Sequence, residues 1–76
     1  MNEMRKWAHR LADINEAIYD TEKEKKELDM SLTIAESCND TARIARLKEK
    51  IRKKDQELER YNKKLAEHYK NKPKEE

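Results

Sequence analysis

The chain has no glycine and no phenylalanine, and only one proline and one cysteine in 76 residues. Without glycine it has no loop of the Walker or dinucleotide type, since those loops need backbone to approach phosphate where a Cβ would clash. The single cysteine, Cys38, excludes an internal disulfide framework and suits a reducing compartment, so a cytoplasmic setting is expected. Apolar runs are only a few residues long. That is far short of the roughly 20 residues of a transmembrane helix and of the apolar core of a signal peptide. Aromatic residues make up 5% and charged residues 47%. A chain of this mix lacks the material for a deep globular core, and it reads as long helices, a coiled coil or disorder.

Periodicity decides among these. Met4, Trp7, Leu11, Ile14, Ile18, Thr21, Lys25, Leu28, Leu32 and Ala35 follow alternating spacings of three and four. Ile44, Leu47, Ile51, Lys54, Leu58, Tyr61, Leu65 and His68 do the same. Such a/d heptads place a narrow seam along one side of a helix and call for a partner helix. Between Ala35 and Ile44 lie nine steps, about 900° of turn, so a continuous helix would present two seams on opposite faces. A helical hairpin folds the seams together. The competing arrangement, a parallel coiled coil of extended chains about 100 Å long, is disfavoured by this phase break.

The fold expected is therefore all-α: an antiparallel two-helix coiled-coil hairpin spanning residues 1–72 as one domain. Helix 1 is expected over about 3–36, the loop over about 37–41, helix 2 over about 41–70, and a frayed charged tail over 73–76. Asn2 is placed to cap the first helix, and Asn39 or Asp40 the second. Asn39 also suits the left-handed conformation that ends helices. Antiparallel packing sets an a position against a d position, and pairs whose numbers sum to 79 satisfy this throughout, from Leu32 with Leu47 to Leu11 with His68. This register leaves about six residues for the loop. It also stacks Lys25 on Lys54, whose stems are expected to pack while the ammonium groups reach water or acids such as Glu22, Asp29 and Asp55. A sharper role for these lysines is to fix register or oligomeric state. A thin two-helix unit buries little, and neither disulfide nor metal is available to staple it. Dimerisation into a four-helix-bundle-like assembly is expected.

Nothing in the sequence argues for an enzyme, a cofactor, a bound metal or a small-molecule substrate. Ser31 and Ser37 have no neighbouring histidine, and carboxylates on a highly charged helix are ordinarily solvated surface. His9 and His68 fall on different faces and match no metal-ligand spacing. Cys38 is flanked by Asn39 and Asp40, which do not favour a reactive thiolate.

Two features bear on function. The first is charge patterning. Residues 43–64 hold ten basic and four acidic residues, whereas residues 1–36 hold six basic and nine acidic. Arg43, Arg46, Lys50, Lys53, Arg60 and Lys64 form a stripe about 30 Å long beside the seam, long enough to track a phosphate backbone. The plainer expectation pairs this stripe, within or between subunits, with Asp13, Asp20, Glu24 and Glu27 of helix 1. The second feature is a widened apolar face at the end away from the loop, where Trp7, Leu11, Tyr61, Leu65 and Tyr69 converge with Ala8, Ala12 and Ala66. Large aromatics with small neighbours suit an interface, whether with a second copy or with another protein. The function expected is a non-enzymatic protein–protein interaction module: a small adaptor, inhibitor or assembly factor, with no membrane partner. The alternative is a dimeric nucleic-acid-binding regulator that uses the basic stripe.

Overall fold

The structure is a computed structural model that describes residues 2–73, so the expected tail over Lys74–Glu76 lies outside the described residues. Two α-helices, α1 (Glu3–Ser37) and α2 (Thr41–Lys70), pack against each other along their lengths. The hairpin measures 60 × 15 × 11 Å, with a radius of gyration of 17.5 Å. A compact globule of this size would have a radius near 11 Å. There is no room for an interior beyond one seam. No described helix is long and apolar enough to cross a membrane.

All eighteen seam positions read from the heptads are buried or half-buried, and beyond them, among the described residues, only Ala17, Ser31, Glu57 and Pro73 are less than exposed. The seam was thus written in the sequence to the residue. Among the described residues only Ala35, Leu47 and Thr21 are buried. The Thr21 hydroxyl is satisfied within its own helix by donating to the Ala17 carbonyl at 2.8 Å.

The loop is shorter than expected: three residues, Cys38–Asp40, rather than about 37–41. Ser37 stays in the helix, its hydroxyl donating to the Thr33 carbonyl as Thr33 does to that of Asp29, and the helix closes beyond it on the N–H groups of Cys38, Asn39 and Asp40. Asn39 turns the chain at φ 54°, the left-handed conformation that asparagine tolerates. Its N–H bonds the Glu36 carbonyl and the Asp40 N–H bonds that of Ala35, the paired closure of a Schellman motif. Asp40 then caps α2 by accepting from the Arg43 N–H. One residue therefore ends the first helix while starting the second. At the other terminus, Asn2 occupies the cap position of α1 but its side chain makes no capping hydrogen bond.

The lysine layer shows how the register is held. Lys25 reaches Asp55 at 2.6 Å on one flank, and Lys54 reaches Glu24 and Glu57 on the other. These crossings bracket the expected Lys25–Lys54 pairing symmetrically. Asp55 was among the acids anticipated, while Glu24 and Glu57 were not. Both lysines are held above the ordinary lysine range, each chiefly by the hydrogen bond to its acid. Because a raised lysine stabilises below its unfolded value and loses that contribution above its folded one, the lysines' contribution is lost at strongly alkaline pH.

Two predictions follow from this geometry. In a Cys38→Ser background, Leu32→Cys with Leu47→Cys should oxidise to an intramolecular bond worth up to about 3 kcal/mol. Leu28→Cys with Leu58→Cys, two heptad layers out of register, should not oxidise. Non-reducing gels and thermal melts read both. Replacing Lys25 and Lys54 together by leucine should raise the melting temperature at pH 7, since a partly desolvated ion pair seldom outdoes well-packed apolar residues. It should also remove part of the loss of stability that the wild type shows as pH rises past the lysine range. A lower melting temperature at pH 7 would mean that the ion pairs carry net stability.

Candidate interaction surface

Each helix exposes two flanks beside its seam. On the first flank, Lys25 sits among Asp55, Glu22 and Asp29. The second flank is a shallow groove lined by Glu24, Leu28, Ser31, Lys50 and Lys54, and it continues past Glu57, Tyr61 and Lys64. The hairpin thus has two distinct long faces, fixed by which heptad positions of α1 meet which of α2.

At the open end, Trp7 closes the hairpin. Its indole Nε1 donates to the His68 carbonyl at 2.7 Å, and His68 Nε2 lies 2.7 Å from the Trp7 carbonyl. A carbonyl only accepts, so the imidazole proton sits on Nε2. The two rings stack with centroids 4.7 Å apart and planes 6° apart. Tyr69 meets the indole edge-on, and the Lys72 ammonium lies 5.5 Å from its centroid. The His68 carbonyl belongs to the last turn of α2 and also accepts from the Asn71 N–H at 3.2 Å, so the Trp7 indole is its second donor and ties the end of α2 to α1.

The expected open-end residues divide in two. Trp7, Leu11, Tyr61 and Leu65 are half-buried in the seam, whereas Tyr69 is 52% exposed. The most exposed large apolar side chain was missed: Tyr19, at 67%, beyond Ala12 on the outer side of α1. Its position four residues after Asn15 and seven after Ala12, with no charge on that line, was the available signal. Met30 and Ile34 are also exposed, near the loop.

Arg43, Arg46, Lys50, Lys53, Arg60 and Lys64 are all exposed. The expected pairing of this stripe with the acids of helix 1 inside one chain does not occur. Among the described residues the ion pairs are Lys25–Asp55, Lys54–Glu24, Lys54–Glu57, Arg52–Glu49 and Lys63–Glu59, and none uses a stripe residue. The reason is heptad position. Arg46, Lys53, Arg60, Asp13 and Asp20 occupy the outer c position, which points away from the neighbouring helix, whereas Lys50 and Glu27 line the shared groove without forming an ion pair. Glu24, which lies nearer the seam, is taken by Lys54. Lys64 lies 5.8 Å from the Tyr61 ring centroid.

The Cys38 thiol is exposed in the loop. Among the described residues, no group of three or more His, Cys, Asp or Glu side chains is arranged to hold a metal ion. Comparison with known proteins finds no matching protein family, no similar curated protein and no similar solved structure.

The clasp gives a direct test. Trp7→Phe keeps a ring against His68 but removes the indole donor. It should cost about 1 kcal/mol, the usual worth of one such bond. Hydrogen exchange at the last turn of α2 should quicken while the loop end stays protected. Equal loss of protection at both ends would assign Trp7 to the core in general and not to the clasp.

Proposed function

We propose that this hairpin is a non-enzymatic protein–protein interaction module that self-associates through a four-helix-bundle-like contact and acts in a reducing compartment, the cytoplasm. One observation carries the reading. A seam running the length of a 60 Å hairpin leaves all but two of its apolar residues only half-buried. Apolar surface that stays in contact with water along a helix pair favours a further helical surface laid against it. Having only helices to offer, the protein would bind helix-on-helix or helix-in-groove. Tyr69 and the seam residues Leu11 and Leu65, with Trp7 and Tyr61 beside them, supply the contact at the open end.

A second reading rests on the basic stripe. Six exposed cations with no ion pair among the described residues suit a phosphate backbone, and α2 would then be the face of a small nucleic-acid-binding regulator.

Salt separates the two. Capture of a partner from source-cell lysate, with and without nuclease, should return a stoichiometric protein that survives nuclease and changes little between 50 and 200 mM salt. Binding through six phosphate contacts would weaken about a thousandfold over that range. Recovery of nucleic acid alone, lost on Arg46→Glu with Lys53→Glu, would replace the first reading by the second.

A further inference from the structure

One stretch of surface departs from the charge pattern of the rest. On the flank that carries Asp55, the outward positions of α1 from Ala8 through Ala12 and Asn15 to Tyr19 bear no charge. Neither do those of α2 from Asn62 through Ala66 to Tyr69. All seven side chains are exposed. In a chain that is 47% charged, this is a neutral face on the open half of the hairpin. Toward the loop the same flank becomes charged, at Glu22, Lys25 and Asp29 of α1 and at Glu59 and Asp55 of α2, Glu59 being paired with Lys63.

We infer that this face is covered by a second copy of the chain, related by a two-fold axis crossing the hairpin between Ala12 and Asn15, with the two loops at opposite ends of the dimer. The inference deepens the self-association proposed above and rests on it. A two-fold contact sets each patch against itself, so any charge near the axis meets its own like, and only a neutral patch is compatible with that. The relief fits as well. Tyr19 lies as far on one side of the axis as Ala8 does on the other, so the tyrosine of each copy falls at the level of the other's alanine, large against small. Asn15 and Asn62, near the axis, bring donors and acceptors that suit a partner of either polarity.

The alternative stacking, with both loops at the same end, would bring Glu22 of one copy beside Asp55 of the other. The offset arrangement avoids this by overlapping only the open halves. The overlap is about 30 Å long, taken from 1.5 Å per residue. Across a hairpin 15 Å wide it covers less than a standard interface, which places the dimer in the weak, concentration-dependent class. The dimer would be about 90 Å long, from two lengths of 60 Å less the overlap. The stripe of Arg46, Lys53 and Arg60 faces away from the contact and stays free.

Sedimentation across a concentration series, with small-angle scattering at the top of it, tests the inference. The wild type should pass from monomer to dimer, and the dimer's maximum dimension should be near 90 Å. Ala12→Glu and Ala66→Glu, both at exposed helical positions, should each raise the dissociation constant at least tenfold without changing helicity by circular dichroism. Tyr19→Ala should do so without adding charge, and Arg46→Glu with Lys53→Glu should leave the dimer intact. A chain that stays monomeric at about 1 mM overturns the inference, as does a dimer only 60 Å long or a dimer indifferent to Ala12→Glu and Ala66→Glu. A monomer that still captures a nuclease-resistant protein would overturn this dimer while leaving the interaction-module reading standing. A dimer of the expected length that captures none would do the reverse.

Discussion

Two helices cover an apolar seam from one side only. Every other property of this hairpin depends on that constraint. With one row of side chains per helix, each leucine or isoleucine meets neighbours across the seam and water along the flanks. Among the described residues burial is closest to complete at Ala35, near the turn, and Thr21 and Leu47 are the other buried seam positions. The long stems of Lys25 and Lys54 are tolerable for the same reason: a layer that is open on both flanks lets each ammonium leave toward an acid, one to each side. In a deeper core the same pair would be unsatisfied and costly.

The two flanks differ because heptad positions do different work. Those nearest the seam reach across it, and the ion pairs between the helices are made there. Positions one step further out look past the neighbouring helix, so acids and bases that match in spacing along the sequence never meet. The neutral stretch at the open end adds a third kind of surface. The hairpin therefore presents an ionic flank and one that is uncharged over its open half, and only that uncharged stretch lets go of water cheaply.

Much of this was legible in the sequence. Strict spacing of three and four forecast every seam position, and the nine-step gap between Ala35 and Ile44 forecast the reversal. Asn39 and Asp40 announced the turn by their chemistry, a left-handed tolerance and a capping carboxylate. The loop came out shorter because the backbone bonds that close α1, from the Cys38, Asn39 and Asp40 N–H groups to Ile34, Ala35 and Glu36, fall past Ser37 and keep it in the helix, a closure that its composition as a helix competitor conceals. The fate of the charges was less readable. Periodicity gives the angle of a side chain around its helix, but whether an outer arginine reaches an outer aspartate depends on the width of the pair. Trp7 illustrates the same limit. Its place in the seam was forecast, whereas the exchange of hydrogen bonds with His68 needs the backbone of one helix end beside the ring of the other.

The tight turn also orders the hairpin in time. Contacts beside Asn39 join residues about ten apart, whereas the clasp of Trp7 on His68 joins residues 61 apart. Loop-closure entropy grows with separation, so the contact easiest to reach first lies next to the turn, and each layer formed brings the next within reach. That entropy favours closure outward from Cys38–Asp40 and opening from the far end. The neutral face and the clasp share the half of the molecule that closes last and opens first, so whatever settles on that half acts on the slow-forming end of the hairpin and holds it shut.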